Sequence, residues 1–249
     1  MKNLKHIFGT LLMTVILFTS CETSDDSDII IRATAEDYNN LKDAALENLT
    51  QTFKIEADED NVTLVSDTNV RLYISRSCIA LNGNPVIGEI DIEYIELFDK
   101  GSMLVTNKPT MGVMPNGDKG LLISGGEFFI EATQNGVALE TTCDFQLAIP
   151  GDLTGGVDNT MTLWNGNIDD EGNLAWNEEK RDAQGGVFAE GNEYYAFIGD
   201  FGWSNVDRFY NDPRPKTTIL VDAPEGYDNT NSSIFLSYDG EDTGLANLD

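Results

Sequence analysis

The side chains that could carry out chemistry in this chain are carboxylates, amides and cysteines, because histidine is almost absent. The only histidine among the 249 residues is His6, and it lies in an N-terminal segment that we expect to be removed on export. Without a histidine base, a Ser–His–Asp or Cys–His nucleophile is not available. The usual histidine ligands of zinc, copper and non-haem iron would also be missing. We therefore predict no catalytic residue and expect a protein that is not an enzyme.

Cys78 and Cys143 are the two cysteines in the body of the chain. Each begins a strand-like run, and Cys143 is in phase with the apolar residues Phe145 and Leu147. An exported protein allows a disulfide between them, whereas free cysteines are often simply core residues. Two interpretations stay open: a Cys78–Cys143 disulfide, or two separate buried thiols.

Oxygen-bearing side chains recur at alternate positions in Asn165, Asn167 and Asp169. Such a spacing is compatible with a calcium site, and calcium is the only cofactor that the sequence suggests. The segment does not fit an EF-hand loop, because Asp170 stands where the loop needs Gly and Trp176 where it needs Glu. A hairpin turn at residues 170–173 is the simpler interpretation.

The carboxylates are too numerous to single out a catalytic pair. Asp and Glu number 43 against 15 Lys and Arg, which gives a formal net charge of −28, so two carboxylates will often lie close by chance. No pair stands out as the acid and base of a glycosidase. A chain of this charge repels nucleic acid and anionic lipid, and no nucleic-acid partner is predicted.

Aromatic residues offer a second kind of binding chemistry. Trp164, Trp176, Trp203 and the pair Tyr194–Tyr195 could form a platform on which sugar rings stack. The same residues are also the type that fills a protein core. Core filling is the favoured interpretation.

One helix is predicted before the strands begin. Apolar residues recur at three- and four-residue spacings over residues 35–52, which is the period of an amphipathic helix. Thr34, followed three residues later by Asp37, predicts the cap and the first-turn acid of this helix.

From residue 53 onward the sequence is typical of a mainly β protein. Short alternating runs are separated by turns rich in Asp, Asn and Gly, which predicts a β-sandwich, either one large unit or two consecutive small ones. The polar, glycine-rich residues 151–160 are the candidate boundary. The two units would cover residues 53–150 and 151–249, with later strands expected at residues 161–164, 173–176, 193–198, 203–209, 217–221 and 234–238. No strand is expected after residue 238, so the second unit would end at an edge strand or be incomplete at its C-terminus.

Residues 85–133 are the densest strand-like stretch. The apolar face carried by Ile90, Ile92 and Tyr94 changes phase after Tyr94, which predicts a bulge or bend near residues 94–95. Gly125–Gly126 predicts the start of the next strand.

Residues 1–20 have the three parts of an export signal. A positively charged start, an apolar run from Ile7 to Phe18 that is too short to span a bilayer, and two small polar residues precede Cys21. This pattern resembles the bacterial lipobox, although Phe18 stands where the lipobox prefers Leu. The resemblance implies that the signal peptide is cleaved before Cys21, and that Cys21 is lipidated and anchors the chain to a membrane.

The residues directly after Cys21 are acidic and polar. Glu22 to Asp28 read ETSDDSD, which resembles the export signal of surface lipoproteins in Bacteroidota. The resemblance implies attachment to the outer membrane, facing the cell surface. We interpret residues 21–34 as an acidic, flexible tether.

Three further segments resemble an uncharacterised family of Bacteroidota surface lipoproteins with an exported β-sandwich module. They are GNPVIGEIDIEYIELFDKGSMLVTNKPTMG (83–112), LLISGGEFFIEATQNGVAL (121–139) and FGWSNVDRF (201–209). The resemblance covers residues 35–249 and implies a location and an architecture, but no activity.

The function expected from these features is an outer-membrane surface lipoprotein that acts as a binding or assembly module. Its partner would be another envelope protein or a polysaccharide. The alternative is a carboxylate-dependent glycan-active enzyme or a glycan-binding protein. We expect a functional surface on loops, particularly 108–119 and 177–192, because the strands themselves are typical of a scaffold.

Overall fold

The computed structural model describes residues 32–56, 59–169, 172–180, 186–215 and 217–248. The predicted signal peptide, the lipidation site Cys21 and the first part of the tether therefore lie outside the described residues. In the described part, neither helix has the length and apolar composition needed to cross a membrane.

Two α-helices, two short 3-10 helices (Arg76–Cys78 and Gly151–Thr154) and eighteen strands make up the regular structure of the described residues. The helices are α1 (Ala35–Leu49) and α2 (Lys100–Thr106). The strands are β1 (Gln51–Ile55), β2 (Asn61–Val65), β3 (Arg71–Ser75), β4 (Ile79–Leu81), β5 (Asn84–Pro85), β6 (Ile90–Leu97), β7 (Met111–Val113), β8 (Lys119–Gln134), β9 (Val137–Ala138), β10 (Glu140–Thr141), β11 (Phe145–Pro150), β12 (Thr162–Ile168), β13 (Leu174–Glu178), β14 (Val187–Glu190), β15 (Glu193–Ile198), β16 (Gly202–Phe209), β17 (Ile234–Leu236) and β18 (Ala246–Leu248).

Helix α1 begins where the capping pattern predicts. The Thr34 hydroxyl accepts a hydrogen bond from the Asp37 N–H (3.1 Å), and the Asp37 carboxylate accepts one from the Thr34 N–H (3.0 Å). This capping box satisfies two N–H groups that a helix start leaves open. Leu46 and Leu49 then pack against the sheet. The helix ends at Leu49 and not at residue 52, because β1 already begins at Gln51.

The mainly β architecture is confirmed, but it is not a plain sandwich. The largest sheet has the order β1-β6-β8-β16-β12-β13-β7, and β7 also pairs with β8. Strands β8, β16, β12, β13 and β7 therefore close into a five-stranded barrel. A second sheet has the order β14-β15-β11-β3-β2, and the two smaller sheets are β10-β4-β5 and β17-β18. Closure removes the unpaired edges that an open sheet would leave exposed.

Strand β8 joins the two parts of the fold because it is sixteen residues long. Its first half pairs with β7, and its second half pairs with β6. Between the halves, Gly125 and Gly126 together oppose the single residue Val206 of β16, which is a β-bulge. Gly126 has φ +132°, and a Cβ atom there would lie 2.6 Å from the Phe98 ring. Gly125–Gly126 thus bends one continuous strand and does not begin a new one.

The bulge predicted at residues 94–95 is absent. Strand β6 pairs with β8 in unbroken register from Asp91 to Leu97. The apolar residues change phase because both faces of this sheet are covered: Tyr94 belongs to one buried cluster, and Ile95 belongs to another on the opposite side. The shift in the apolar pattern of β6 therefore arises because both of its faces are buried from Tyr94 onward, and not because its pairing with β8 is interrupted.

Three hydrophobic clusters form the core of the described residues. The largest contains Ile92 and Ile130 of the first sheet together with Leu72 and Leu147 of the second, so these two sheets pack face to face. A second cluster lies under the helices around Leu97 and Met103. The third lies in the barrel, where the fully buried members are Leu122, Trp164, Leu174 and Trp176. The tryptophans predicted either as a sugar platform or as core are thus mainly core.

Residues 151–160 do not separate two units. Strands from before and after this segment pair with each other in both large sheets, as β11 does with β15 and β8 with β16. Ala33–Asp249 accordingly forms one unit by its internal contacts. The expectation that no strand follows residue 238 is also wrong, because β18 pairs with β17. Ala246–Leu248 is short and contains no β-branched or aromatic residue, so its sequence did not indicate a strand.

Candidate functional site

A polar groove on the surface of the described residues brings several polar side chains together. Its volume is about 490 Å³. It lies between the turn that follows β12, the loop that precedes β17, and β18. Its lining consists mostly of amide, hydroxyl and carboxylate side chains: Lys119, Asp169, Asn173, Ala223, Asp228, Asn229, Ser232, Ser233, Ile234, Asn247 and Leu248.

One wall of the groove is the turn between β12 and β13. The Asp169 carboxylate accepts hydrogen bonds from the Asn173 N–H (2.8 Å) and from the Asn173 side-chain amide (3.2 Å). A short carboxylate that bonds the backbone a few residues on is a standard way to close a tight turn. Asp169 and Asn173 are therefore held in place by each other before any ligand arrives.

The opposite wall is the loop from Gly226 to Ser233. The Asp228 carboxylate accepts bonds from the Thr230 N–H (2.9 Å) and hydroxyl (2.6 Å), and these bonds lower the pKa of Asp228. The Asn231 side chain donates to the carbonyl of Gly226 (3.0 Å). Ser233 shares a hydrogen bond with the hydroxyl of Tyr38 in α1. The loop has no regular secondary structure, yet its own side chains and α1 fix its shape.

An apolar depression continues the groove on one side. It is lined by Val221, Asp222, Ala223, Pro224, Tyr227, Ser232 and Ile234, and the polar groove also includes Ala223, Ser232 and Ile234. Tyr227 is partly exposed, and Val221 is 52% exposed. The combined surface thus offers hydrogen-bonding groups beside an aromatic ring and aliphatic side chains, which is the usual composition of a ligand site.

The residues predicted to hold calcium do not converge. Asn165 and Asn167 lie exposed on the outer face of β12, where residues two apart are about 6.6 Å from each other. The Asn165 amide donates to Glu179 (3.3 Å), and Asp169 closes the turn. Across the described ranges, no group of three or more His, Cys, Asp or Glu side chains could hold a metal ion. The hairpin-turn interpretation therefore describes this segment better than the calcium interpretation.

Of the two interpretations for Cys78 and Cys143, the structure shows the disulfide. Their Cα atoms are 5.3 Å apart, across a sequence separation of 65 residues. Cys78 is buried, but Cys143 is exposed in the loop before β11, so its phase with Phe145 did not indicate burial. The disulfide lies away from the groove and holds two loops together.

The loops expected to carry function are not where the groove forms. Lys108, Pro109 and Thr110 are buried, and only Lys119 at the end of that loop lines the groove. Residues 181–185 of the second loop lie outside the described residues. The sequence signal that could have located the groove is DNTNSS at residues 228–233, which indicates turns but gives no indication of what lies beside them.

Comparison with protein-family models, curated proteins and solved structures found no match to this chain.

Proposed function

We propose that this chain is an outer-membrane surface lipoprotein whose folded part binds a polysaccharide in the polar groove. The sequence support is the export signal that ends at Cys21 and the acidic tether that follows it. The main structural support for binding is the groove itself, whose walls present amide and carboxylate side chains. The scaffold that we propose is a sandwich-like pair of large sheets joined to the barrel.

The chemistry of the groove suits a chain of sugars. Sugar hydroxyls both donate and accept hydrogen bonds, and Asn, Ser and Asp side chains provide acceptors and donors for them. The apolar face of a sugar ring would pack on Tyr227 in the adjoining depression. Because internal hydrogen bonds already fix Asp169 and Asp228, little ordering of the protein would be needed on binding.

We do not propose that the groove catalyses a reaction. A glycosidase needs a carboxylic acid whose pKa is raised, so that it is protonated when it meets the substrate. The pKa of Asp228 is instead lowered by its bonds from Thr230. Asp169 accepts bonds that hold a turn closed. Neither carboxylate is placed as a general acid, and a binding role fits better than a glycan-active enzyme.

Calorimetric titration of the full-length protein in detergent with a panel of bacterial surface polysaccharides tests this proposal. We expect saturable binding to at least one polysaccharide, weakened about tenfold or more by Tyr227→Ala or Asn229→Ala. Asn165→Ala, on the outer face of β12, serves as the matched control and should bind as the wild type does. The absence of binding across the panel, or equal affinity in the groove variants, contradicts the proposal. Release of new reducing ends would instead support the enzyme alternative.

Localisation is tested separately in cells. Protease added to intact cells should cleave the wild-type protein, and Cys21→Ser should move the protein out of the outer-membrane fraction, because the lipid anchor would be lost. Full protection from protease would show that the chain does not face outward.

A further inference from the structure

Two carboxylates are fully buried beside the barrel core without the partners that such groups need. Glu127 on β8 and Asp207 on β16 are each 0% exposed. Three of their oxygens have no hydrogen-bond partner among the described residues: both carboxylate oxygens of Glu127, and Oδ1 of Asp207. An ionised carboxylate placed in a core in this way is strongly unfavourable unless something compensates its charge. A compensating group is therefore expected beside Glu127 and Asp207.

The bulge in β8 brings both carboxylates to the same face of the sheet. Glu127 is directly opposite Asn205, and Ser124 is directly opposite Asp207. In a regular strand, residues three apart point to opposite faces. The extra residue at Gly125–Gly126 restores Ser124 and Glu127 to one face. Glu127 and Asp207 are then diagonal neighbours, with Cα atoms about 7–8 Å apart, so their carboxylates can reach a common point.

A chain of hydrogen bonds fixes Asp207 and leaves one of its oxygens available. The Ser124 hydroxyl accepts from the Gly126 N–H (3.0 Å) and donates to Asn205 Oδ1 (2.8 Å). The Asn205 amide then donates to Asp207 Oδ2 (2.6 Å). Each of these side chains is at most 1% exposed. Outer groups that orient a carboxylate while sparing one oxygen are typical of metal sites.

Lys108 is a buried basic side chain whose charge acts on Glu127, but it forms no direct ion pair with either carboxylate. Its Nζ donates to the Thr106 carbonyl (3.3 Å) and lies 5.4 Å from the centre of the Trp203 ring. No ion pair within 4.0 Å joins Lys108 to Glu127 or Asp207 in the described residues. Burial lowers the pKa of Lys108, whereas the charge of Glu127 raises it.

We propose that Glu127 and Asp207 bind one calcium-type divalent cation between β8 and β16. Three carboxylate oxygens, both of Glu127 and Oδ1 of Asp207, are available as ligands, and hard divalent cations prefer oxygen donors of this kind. Two carboxylates carry the charge that one divalent ion neutralises. The site is distinct from the segment Asn165 to Asp169, which lies on the outside of the barrel. It is also independent of the polar groove.

The competing explanation is that both carboxyls are neutral. Burial raises the pKa of Glu127 and of Asp207 well above the ordinary range, and the negative charge of Asp207 raises that of Glu127 further. The two explanations differ in what an uncharged isostere does. If the two carboxylates bind a cation, the wild-type protein responds to metal and the amide variants do not. If both carboxyls are neutral, neither the wild type nor the amide variants respond to metal.

The test measures metal content and melting temperature of the full-length protein in detergent. Elemental mass spectrometry after passage over a chelating resin and reloading with calcium chloride should give one calcium per chain. Calcium at about 100 times its dissociation constant should raise the wild-type Tm by about 5–10 °C over the chelator-treated protein. Glu127→Gln and Asp207→Asn should each abolish both effects. Glu131→Gln, a partly exposed position on the same strand, is the matched control and should behave as the wild type.

Several results would overturn the proposal. A wild-type protein that retains no calcium, with a Tm that does not change with calcium chloride, excludes the site. Calcium binding that persists in Glu127→Gln excludes these ligands. If the variants do not fold, the metal content and calcium-dependent melting of the wild type still decide the question.

Discussion

At the scale of single residues, Asp158 is held by groups that favour its ionised form. Its Oδ1 accepts from the Thr160 N–H (2.9 Å) and hydroxyl (2.7 Å), and its Oδ2 accepts from Arg208 Nε (2.6 Å). The bonds from Thr160, helped by Arg208, lower the pKa of Asp158 below its ordinary value of 3.8. A carboxylate with a lowered folded-state pKa stabilises the fold above the unfolded pKa, and this contribution is lost as the pH falls through the folded pKa.

Asp158→Asn is therefore expected to destabilise the protein at neutral pH by about 1 kcal/mol or less, because salt bridges between partly exposed groups contribute little. The side chains of Asp158 and Arg208 are 36% and 34% exposed. The difference from the wild type should shrink as the pH falls below 3.8. Urea unfolding at neutral pH and at about pH 3 measures both effects.

Thr160→Val is the comparison for this prediction. It removes the hydroxyl donor but keeps the backbone N–H, so it should lose only part of the effect. A stability difference between Asp158→Asn and the wild type that stays constant from neutral to acidic pH would contradict the assignment.

Which carboxylates face water could be predicted for the first half of β6, but not for the buried Glu96 at its end or for β8. Alternation places Glu93 outward, and it is exposed. The same rule fails at Glu127, because the bulge at Gly125–Gly126 changes the phase and both faces of the strand are covered. No feature of the local sequence shows that the second face is covered, since the covering residues come from distant parts of the chain.

At the scale of elements, the disulfide fastens the 3-10 turn Arg76–Cys78 to the loop before β11. Its two cysteines are 65 residues apart, and a loop of that length stabilises the folded state by about 4 kcal/mol in the chain-entropy description. The double variant Cys78→Ala/Cys143→Ala should lose about that much unfolding free energy in urea.

Thiol mapping gives an independent check on the disulfide. In denatured, unreduced protein, Cys78 and Cys143 should not react with a thiol reagent, and both should react after reduction. Labelling of these two positions without reductant would contradict the disulfide, whatever the stability of the double variant.

The sequence predicted most strands but misjudged residues 217–221. Thr, Ile, Leu and Val make this run a strong strand former, yet it pairs with nothing in the described structure. Leu220 is 92% exposed. Strand propensity reports how well a residue fits a sheet, whereas a strand also needs a free edge beside it. Residues 217–221 meet no such edge in the described structure.

At the scale of the whole molecule, closure of the barrel was the feature that local patterns could not predict. It depends on β7 pairing with β8 on one side and, in parallel, with β13 on the other. The β7–β13 contact joins Gly112 to Trp176 across a long stretch of sequence. Gly112 fits there because a Cβ atom would lie 2.7 Å from the Leu122 side chain. The sequence of a single strand does not show which distant strand it pairs with.

The barrel and the paired large sheets should unfold together, because β8 is part of both. All three tryptophans lie in or against the barrel core, so their fluorescence reports the barrel, whereas far-UV circular dichroism reports every strand. We expect the two signals to change at the same urea concentration, as in a two-state transition. Two separate midpoints would show that the barrel is an independent unit.

Gly126→Ala sharpens this last test, since Gly126 lies at the bulge between the two halves of β8. The substitution places a methyl group 2.6 Å from the Phe98 ring at a residue with φ +132°, and we expect a loss of roughly 2–3 kcal/mol. Both midpoints should fall together. Gly136→Ala has φ +75° but no atom within 4 Å, so it controls for backbone strain alone and should cost about 1 kcal/mol. A shift confined to the circular dichroism signal would mean that strain at the bulge does not reach the barrel.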